Sequence, residues 1–100
     1  MSVLMVLRVS ADPKAVEGYD QAAIRAVSER GKAAGALRHR FFTNGSEVLV
    51  VDEWPDRETF EQFFASEPEI GQIMAAAGVT GQPSPEFFER LEVDDAINWD

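Results

Sequence analysis

The stretch Ala36-Leu37-Arg38-His39-Arg40-Phe41-Phe42-Thr43-Asn44-Gly45-Ser46-Glu47-Val48-Leu49-Val50-Val51-Asp52-Glu53-Trp54-Pro55-Asp56 decides the fold. Two strand-forming runs flank Asn44-Gly45, a dipeptide suited to a two-residue turn with positive φ at both central positions. The runs therefore pair as a hairpin. Pro55 cannot donate to a ladder and Asp56 can cap free helix amides, so the second run stops there. A helix to about Ala65 follows, carrying Phe60, Phe63 and Phe64.

With Asn44-Gly45 as the turn, Thr43 is expected opposite Ser46, Phe41 opposite Val48, His39 opposite Val50 and Leu37 opposite Asp52. One face then holds Leu37, His39, Phe41, Val48, Val50, Asp52 and Trp54. It is the more apolar of the two and should meet the helices. The other holds Arg38, Arg40, Phe42, Glu47, Leu49, Val51 and Glu53, with Arg40 diagonal to Glu47 and Arg38 diagonal to Glu53. A charge-laced face with an apolar stripe suits a dimer contact or its rim.

Working outward, Val3 to Val9 is an apolar run of strand length, with Met5, Leu7 and Val9 on one side and Leu4 and Val6 on the other. Apolar residues on both faces mean that both faces are covered. Asp12-Pro13 opens a helix in which Val16, Tyr19, Ala23 and Val27 recur at helical spacing, ending at Gly31 and Gly35. Ser66-Glu67-Pro68-Glu69 has the form of a capping box, so another helix carries Ile70, Ile73 and Met74 to about Gly78. Gly78 to Pro85 reads as a loop and Phe87 to Val93 as the last strand.

The order βαββαβ, with the second helix in two pieces, predicts an α+β ferredoxin-like plait: an antiparallel four-stranded sheet with helices on one face. The helices leave the other face bare, and a second copy of the chain is expected to cover it. One hundred residues suit one domain over residues 1–100.

The net charge of −9 and nine scattered Lys and Arg argue against nucleic acid and against an acidic membrane surface. No apolar run is long enough to span a bilayer. The N-terminal residues lack a basic region followed by a long apolar block, and with no cysteine the reading expects a cytoplasmic protein free of disulfide or thiol chemistry.

His39 is the sole histidine, and Asp52 shares its face. A carboxylate beside an imidazole orients it and favours its charged form, so His39 is a candidate base, proton shuttle or hydrogen-bond donor to a ligand, with Asp52 as the orienting partner. The competing reading is a histidine spent on a strand end or a buried water. Trp54, Phe63 and Tyr19 are candidate walls of an aromatic cavity, most other phenylalanines being core. Asp52, Glu53 and Asp56 bracket Trp54 without the converging ligands a metal needs, so no metal is expected.

The chain resembles the antibiotic biosynthesis monooxygenase-like (ABM) group of the dimeric α/β-barrel superfamily. Gly35-Ala36-Leu37-Arg38-His39 is similar to that group's Gly-x-Leu-x-aromatic second strand. Val51-Asp52-Glu53-Trp54-Pro55-Asp56 is similar to its strand ending in Glu-Trp before an acid-capped helix. The resemblance implies a homodimer packed sheet to sheet as a dimeric α/β barrel, with one cavity per subunit between sheet and helices. It also implies metal- and flavin-free oxidation of aromatic polyketides or quinols, with no cofactor. The haem-degrading branch of the group carries a Trp and a His at helix positions that fall here on Phe63 and Ile73, and an Asn on a first strand that here has none. Its activity is not expected.

The function read from the sequence is a pocket for a small hydrophobic or aromatic molecule, with cofactor-independent monooxygenase chemistry at His39. The alternatives are a non-catalytic ligand-binding or dimerisation module, or an isomerase or dehydratase using the same base.

Overall fold

The computed structural model describes residues 1–99. Four strands, β1 (Val3–Ser10), β2 (Arg38–Thr43), β3 (Glu47–Trp54) and β4 (Glu86–Glu89), form one sheet in the order β2-β3-β1-β4. Every neighbouring pair is antiparallel. The helices are α1 (Pro13–Glu17), α2 (Gln21–Ala34), α3 (Arg57–Ser66) and α4 (Pro68–Ala76). This is the α+β ferredoxin-like plait that the element order implies.

The central pair sets the core. Met5 pairs with Asp52, Leu7 with Val50 and Val9 with Val48, so the odd positions of β1 and the even positions of β3 share one face. Met5, Leu7, Val9, Val48 and Trp54 are buried there against Phe60 of α3, with Val16, Phe63, Phe64 and Met74 packed around them. Burying each such side chain is worth about 1.5–3 kcal/mol. The other face carries Leu4, Val6, Phe42, Leu49, Val51 and Phe88, and in the single chain Phe42 and Phe88 remain about half exposed, at 51% and 48%. We call the two faces inner and outer.

The hairpin register is displaced by two residues from the one a two-residue turn would give. Thr43 pairs with Val48, Phe41 with Val50 and His39 with Asp52. Side-chain chemistry at the bend explains this. Asn44 Oδ1 accepts from the amides of Ser46 (3.1 Å) and Glu47 (2.9 Å), while Thr43 Oγ1 accepts from Gly45 N–H (2.9 Å). These bonds stabilise a wider bend in which Gly45 alone takes a positive φ, of 104°. Because the displacement is even, every side chain within the two strands keeps its face. Leu37, expected on the inner face, lies just before β2 and is 57% exposed, and Ala36 packs inward instead. Arg38 now lies directly opposite Glu53, which it meets at 3.1 Å, and Arg40 lies opposite Val51 rather than diagonal to Glu47.

Three further boundaries differ from expectation. The first helical region is split at Gly18-Tyr19-Asp20: Asp20 caps α2 through the amides of Ala22 and Ala23, while the Gln21 amide satisfies the last carbonyls of α1. No capping box forms at Ser66, whose hydroxyl donates to Phe63 O. The residue at the N-cap of α4 is Glu67, and its carboxylate is taken instead by Arg30 of α2, with Nε at 2.7 Å and Nη2 at 2.8 Å. That bidentate pair joins α2 to the α3–α4 corner. Finally, β4 is shorter than the expected Phe87 to Val93 strand, and the irregular tail beyond it brings the Trp99 ring within 4.9 Å of the Arg38 guanidinium. Phe88 faces outward, apart from the phenylalanine cluster.

Candidate functional site

The inner-face alternation of β2 and β3 places His39, Asp52 and Trp54 side by side. His39 and Asp52 are cross-strand partners, and Trp54 stands two residues beyond Asp52 on the same side of β3. The Asp52 carboxylate bridges them. Its Oδ1 lies 2.7 Å from His39 Nδ1, and its Oδ2 accepts from Trp54 Nε1–H at 3.1 Å. Asp52 is buried (6% exposed), whereas the His39 side chain is 31% exposed. A buried carboxylate lacking partners would be costly, and here both oxygens are engaged. The tryptophan N–H therefore does more than satisfy itself: it fixes the carboxylate that in turn orients the imidazole.

That bond assigns the proton of neutral His39 to Nδ1, leaving Nε2 as a hydrogen-bond acceptor. Among the described residues no partner contacts Nε2. His39 also meets Phe41 edge to face, with ring centroids 5.2 Å apart, which restricts how the imidazole can turn.

Beside this chain of hydrogen bonds lies a cavity of about 110 Å³ between sheet and helices. Its floor is the inner face from Met5 and Leu7 to Val50, and its roof is built from Ile24 and Val27 of α2 and Ile70 and Met74 of α4. Trp54 and Phe63 form one wall with centroids 5.6 Å apart, and Phe60 braces Trp54 from the side at 5.7 Å. Phe63 approaches α2 where Gly31 has no side chain: a Cβ there would lie 3.5 Å from the ring. The wall is otherwise apolar, its polar side chains being His39, Asp52 and Ser28. Such a space can hold an apolar body and offer it polar anchors at its wall, the His39 imidazole beside Asp52 and the Ser28 hydroxyl on α2.

Of the residues singled out from sequence, His39, Asp52, Trp54 and Phe63 therefore converge on one cavity. Tyr19 does not join them. The helix break puts it in the α1–α2 connection, where its hydroxyl donates to Glu69 Oε2 at 3.4 Å, away from the cavity wall. Burial, and then the negative charge of Glu69, push the Tyr19 phenol above its ordinary pKa. Met5, Leu7, Ile24, Val27 and Met74 were not singled out, although strand alternation and helical spacing pointed each of them inward. Val79 reaches the wall from the Gly78–Pro85 loop and carries no periodic signal at all. Among the described residues no group of three or more His, Cys, Asp or Glu is placed to hold a metal ion.

No protein-family model matches the sequence, and no curated protein matches it. Solved structures do. A monooxygenase from the gene ActVA-Orf6 of Streptomyces coelicolor, in complex with nanaomycin D, superposes with a TM-score of 0.65 at 18% identity, covering 92% of this chain and 89% of that one. A protein described as an antibiotic biosynthesis monooxygenase gives 0.61 at 12% identity, covering 91% and 99%. SnoaB of Streptomyces nogalater, described as a cofactor-independent oxygenase, gives 0.54 at 16% identity, covering 95% and 98%. The resemblance to the ABM group thus holds over nearly the whole chain at the level of fold. No helix among the described residues is long and apolar enough to cross a membrane.

Proposed function

We propose that residues 1–100 form one domain of a cytoplasmic homodimer that binds a small hydrophobic or aromatic molecule in the inner cavity and oxidises it with molecular oxygen, without a cofactor. The observation that carries this reading is the Trp54–Asp52–His39 chain ending at an apolar cavity. His39 Nε2 accepts the proton of a substrate hydroxyl, and Asp52 stabilises the resulting imidazolium. The Trp54 N–H keeps the carboxylate aimed at His39 throughout. Trp54 and Phe63 hold the ring. An apolar enclosure leaves the substrate anion poorly solvated and electron-rich, the form that reacts with oxygen. One oxygen atom replaces the hydrogen of a ring carbon and becomes a carbonyl. The other leaves as water with that hydrogen and the proton held by His39, and the phenol, becoming a quinone, supplies all four electrons. The solved relatives named as monooxygenases, one of them holding nanaomycin D, support the reading by fold. The homodimer is supported by the outer face, which no helix covers. Leu4, Val6, Leu49 and Val51 adjoin the half-exposed Phe42 and Phe88 there, with the C-terminal tail lying along part of it near Leu4, Arg38 and Phe88.

The test is oxygen consumption with electron-rich phenols and hydroquinones, comparing the native protein with His39→Ala at matched folding. The native protein is expected to exceed the protein-free rate, and loss of the base should cost about 10²–10⁴-fold. Ligand binding without oxygen uptake would refute the oxygenase and leave a non-catalytic binding module.

A further inference from the structure

The size and polarity of the cavity narrow the ligand further, given its reading as a ligand site. An apolar cavity of about 150 Å³ is enough to admit benzene and stays dry when empty. The space here is about 110 Å³. The enclosed space is thus smaller than one that admits a single benzene ring, so one six-membered ring already fills it and two fused rings exceed it. Phe63 sets that limit. It narrows the cavity between Trp54, 5.6 Å away by centroid, and the backbone at Gly31.

The polar anchor is equally restrictive. Both Asp52 oxygens are already bonded, to His39 Nδ1 and Trp54 Nε1, so the carboxylate has its strongest directions spent. What remains on that side is His39 Nε2, which in the Nδ1–H tautomer accepts and does not donate. A ligand carrying one hydroxyl donor on an otherwise apolar ring matches it. A carboxylate-bearing ligand, by contrast, would bring its charge close to that of Asp52.

We infer that the cavity selects single-ring phenols, with the hydroxyl on His39 Nε2, and that Phe63 is the residue that excludes fused-ring systems. Three probes separate the parts of this inference: phenol, toluene (the same ring without the donor) and 1-naphthol (the same donor on two rings). Binding is followed by calorimetry and by the Trp54 indole N–H resonance. Phenol is expected to bind about tenfold tighter than toluene, the worth of one hydrogen bond to a pre-oriented acceptor. His39→Ala should bring the two to equal affinity. The native protein should bind 1-naphthol at least tenfold more weakly than phenol, and Phe63→Ala should reverse that order. Phe63→Leu, a milder change, is the second variant if the alanine protein fails to fold.

Tighter binding of 1-naphthol than phenol by the native protein would overturn the size limit while leaving the cavity a ligand site. Equal binding of phenol and toluene would overturn the role given to His39. If none of the three probes moved the Trp54 resonance, this inference and the proposed function would fall together.

Discussion

The two faces of the sheet are built from the same strands by the same alternation, yet they are chemically unlike. On the inner face, Asp52 is buried with each oxygen bonded, and the surrounding residues leave a small apolar space. On the outer face, Glu53, one residue away, pairs with Arg38 near solvent while Phe42 and Phe88 stay half exposed. Neighbouring carboxylates therefore serve opposite ends. One orients an imidazole toward a cavity, and the other forms part of a charged border around an apolar patch. The lesson is that a period of two can assign ligand and partner to opposite sides of one strand.

Removing the central aromatic should produce the largest effect. Trp54 is 2% exposed and supports both the phenylalanine cluster and Asp52, so Trp54→Ala should destabilise the protein by about 3–5 kcal/mol in urea unfolding. A much smaller loss would mean that the inner face is not the core of the fold. Next comes the outer face. Val51→Arg should leave the circular dichroism spectrum unchanged but shift sedimentation from dimer to monomer, weakening association at least about thirtyfold, or roughly 2 kcal/mol. An unchanged sedimentation coefficient would dissociate the outer face from dimerisation.

Asp52→Leu should cost about 1–3 kcal/mol, because it leaves the buried Trp54 N–H without an acceptor. Asp52→Asn, which can retain an acceptor, should recover much of that loss while disturbing phenol binding. The smallest effect concerns the clamp that keeps the helices over the inner face. The hydrogen bonds from Arg30 hold the Glu67 carboxyl below its ordinary pKa. A carboxyl depressed on folding stabilises the fold above its unfolded pKa and loses that contribution as pH falls through the folded value. Glu67→Gln should therefore be less stable than the native protein near neutrality, with the gap closing in acid. A gap that widened in acid would remove the clamp from this account. Arg30 is about half exposed, so salt should also narrow the gap.

The division between faces was legible in the sequence because alternation survives any even displacement of register. Val48, Val50 and Asp52 stay inward whether they meet His39 directly or diagonally. The register itself depended on Asn44 and Thr43 side chains bonding the bend, a local competition that the Asn-Gly signal conceals. Tyr19 shows a different limit. Its spacing with Val16 and Ala23 suited one continuous helix, but Asp20 starts a new one, and the hydroxyl goes to Glu69 fifty residues along the chain. The capping-box pattern at Ser66 failed for a similar reason: Ser66 is still the last residue of α3, and the carboxylate of Glu69, the box's other half, accepts from the distant Tyr19. The Asp52–Trp54 bond was open to inference, because residues two apart on a strand share a face. The size of the cavity was not, because it depends on how Phe63 packs against Gly31 across two helices.

The two tryptophans report the two faces separately. Trp54 lines the inner cavity, and Trp99 lies against Arg38 on the outer side. The most direct measurement is therefore a phenol titration followed by the indole N–H resonances in a ¹H–¹⁵N spectrum, assigned with Trp99→Phe. The account predicts a saturable shift of the Trp54 resonance while that of Trp99 stays in place. A shift confined to Trp99 would put the ligand on the outer face and contradict the central claim.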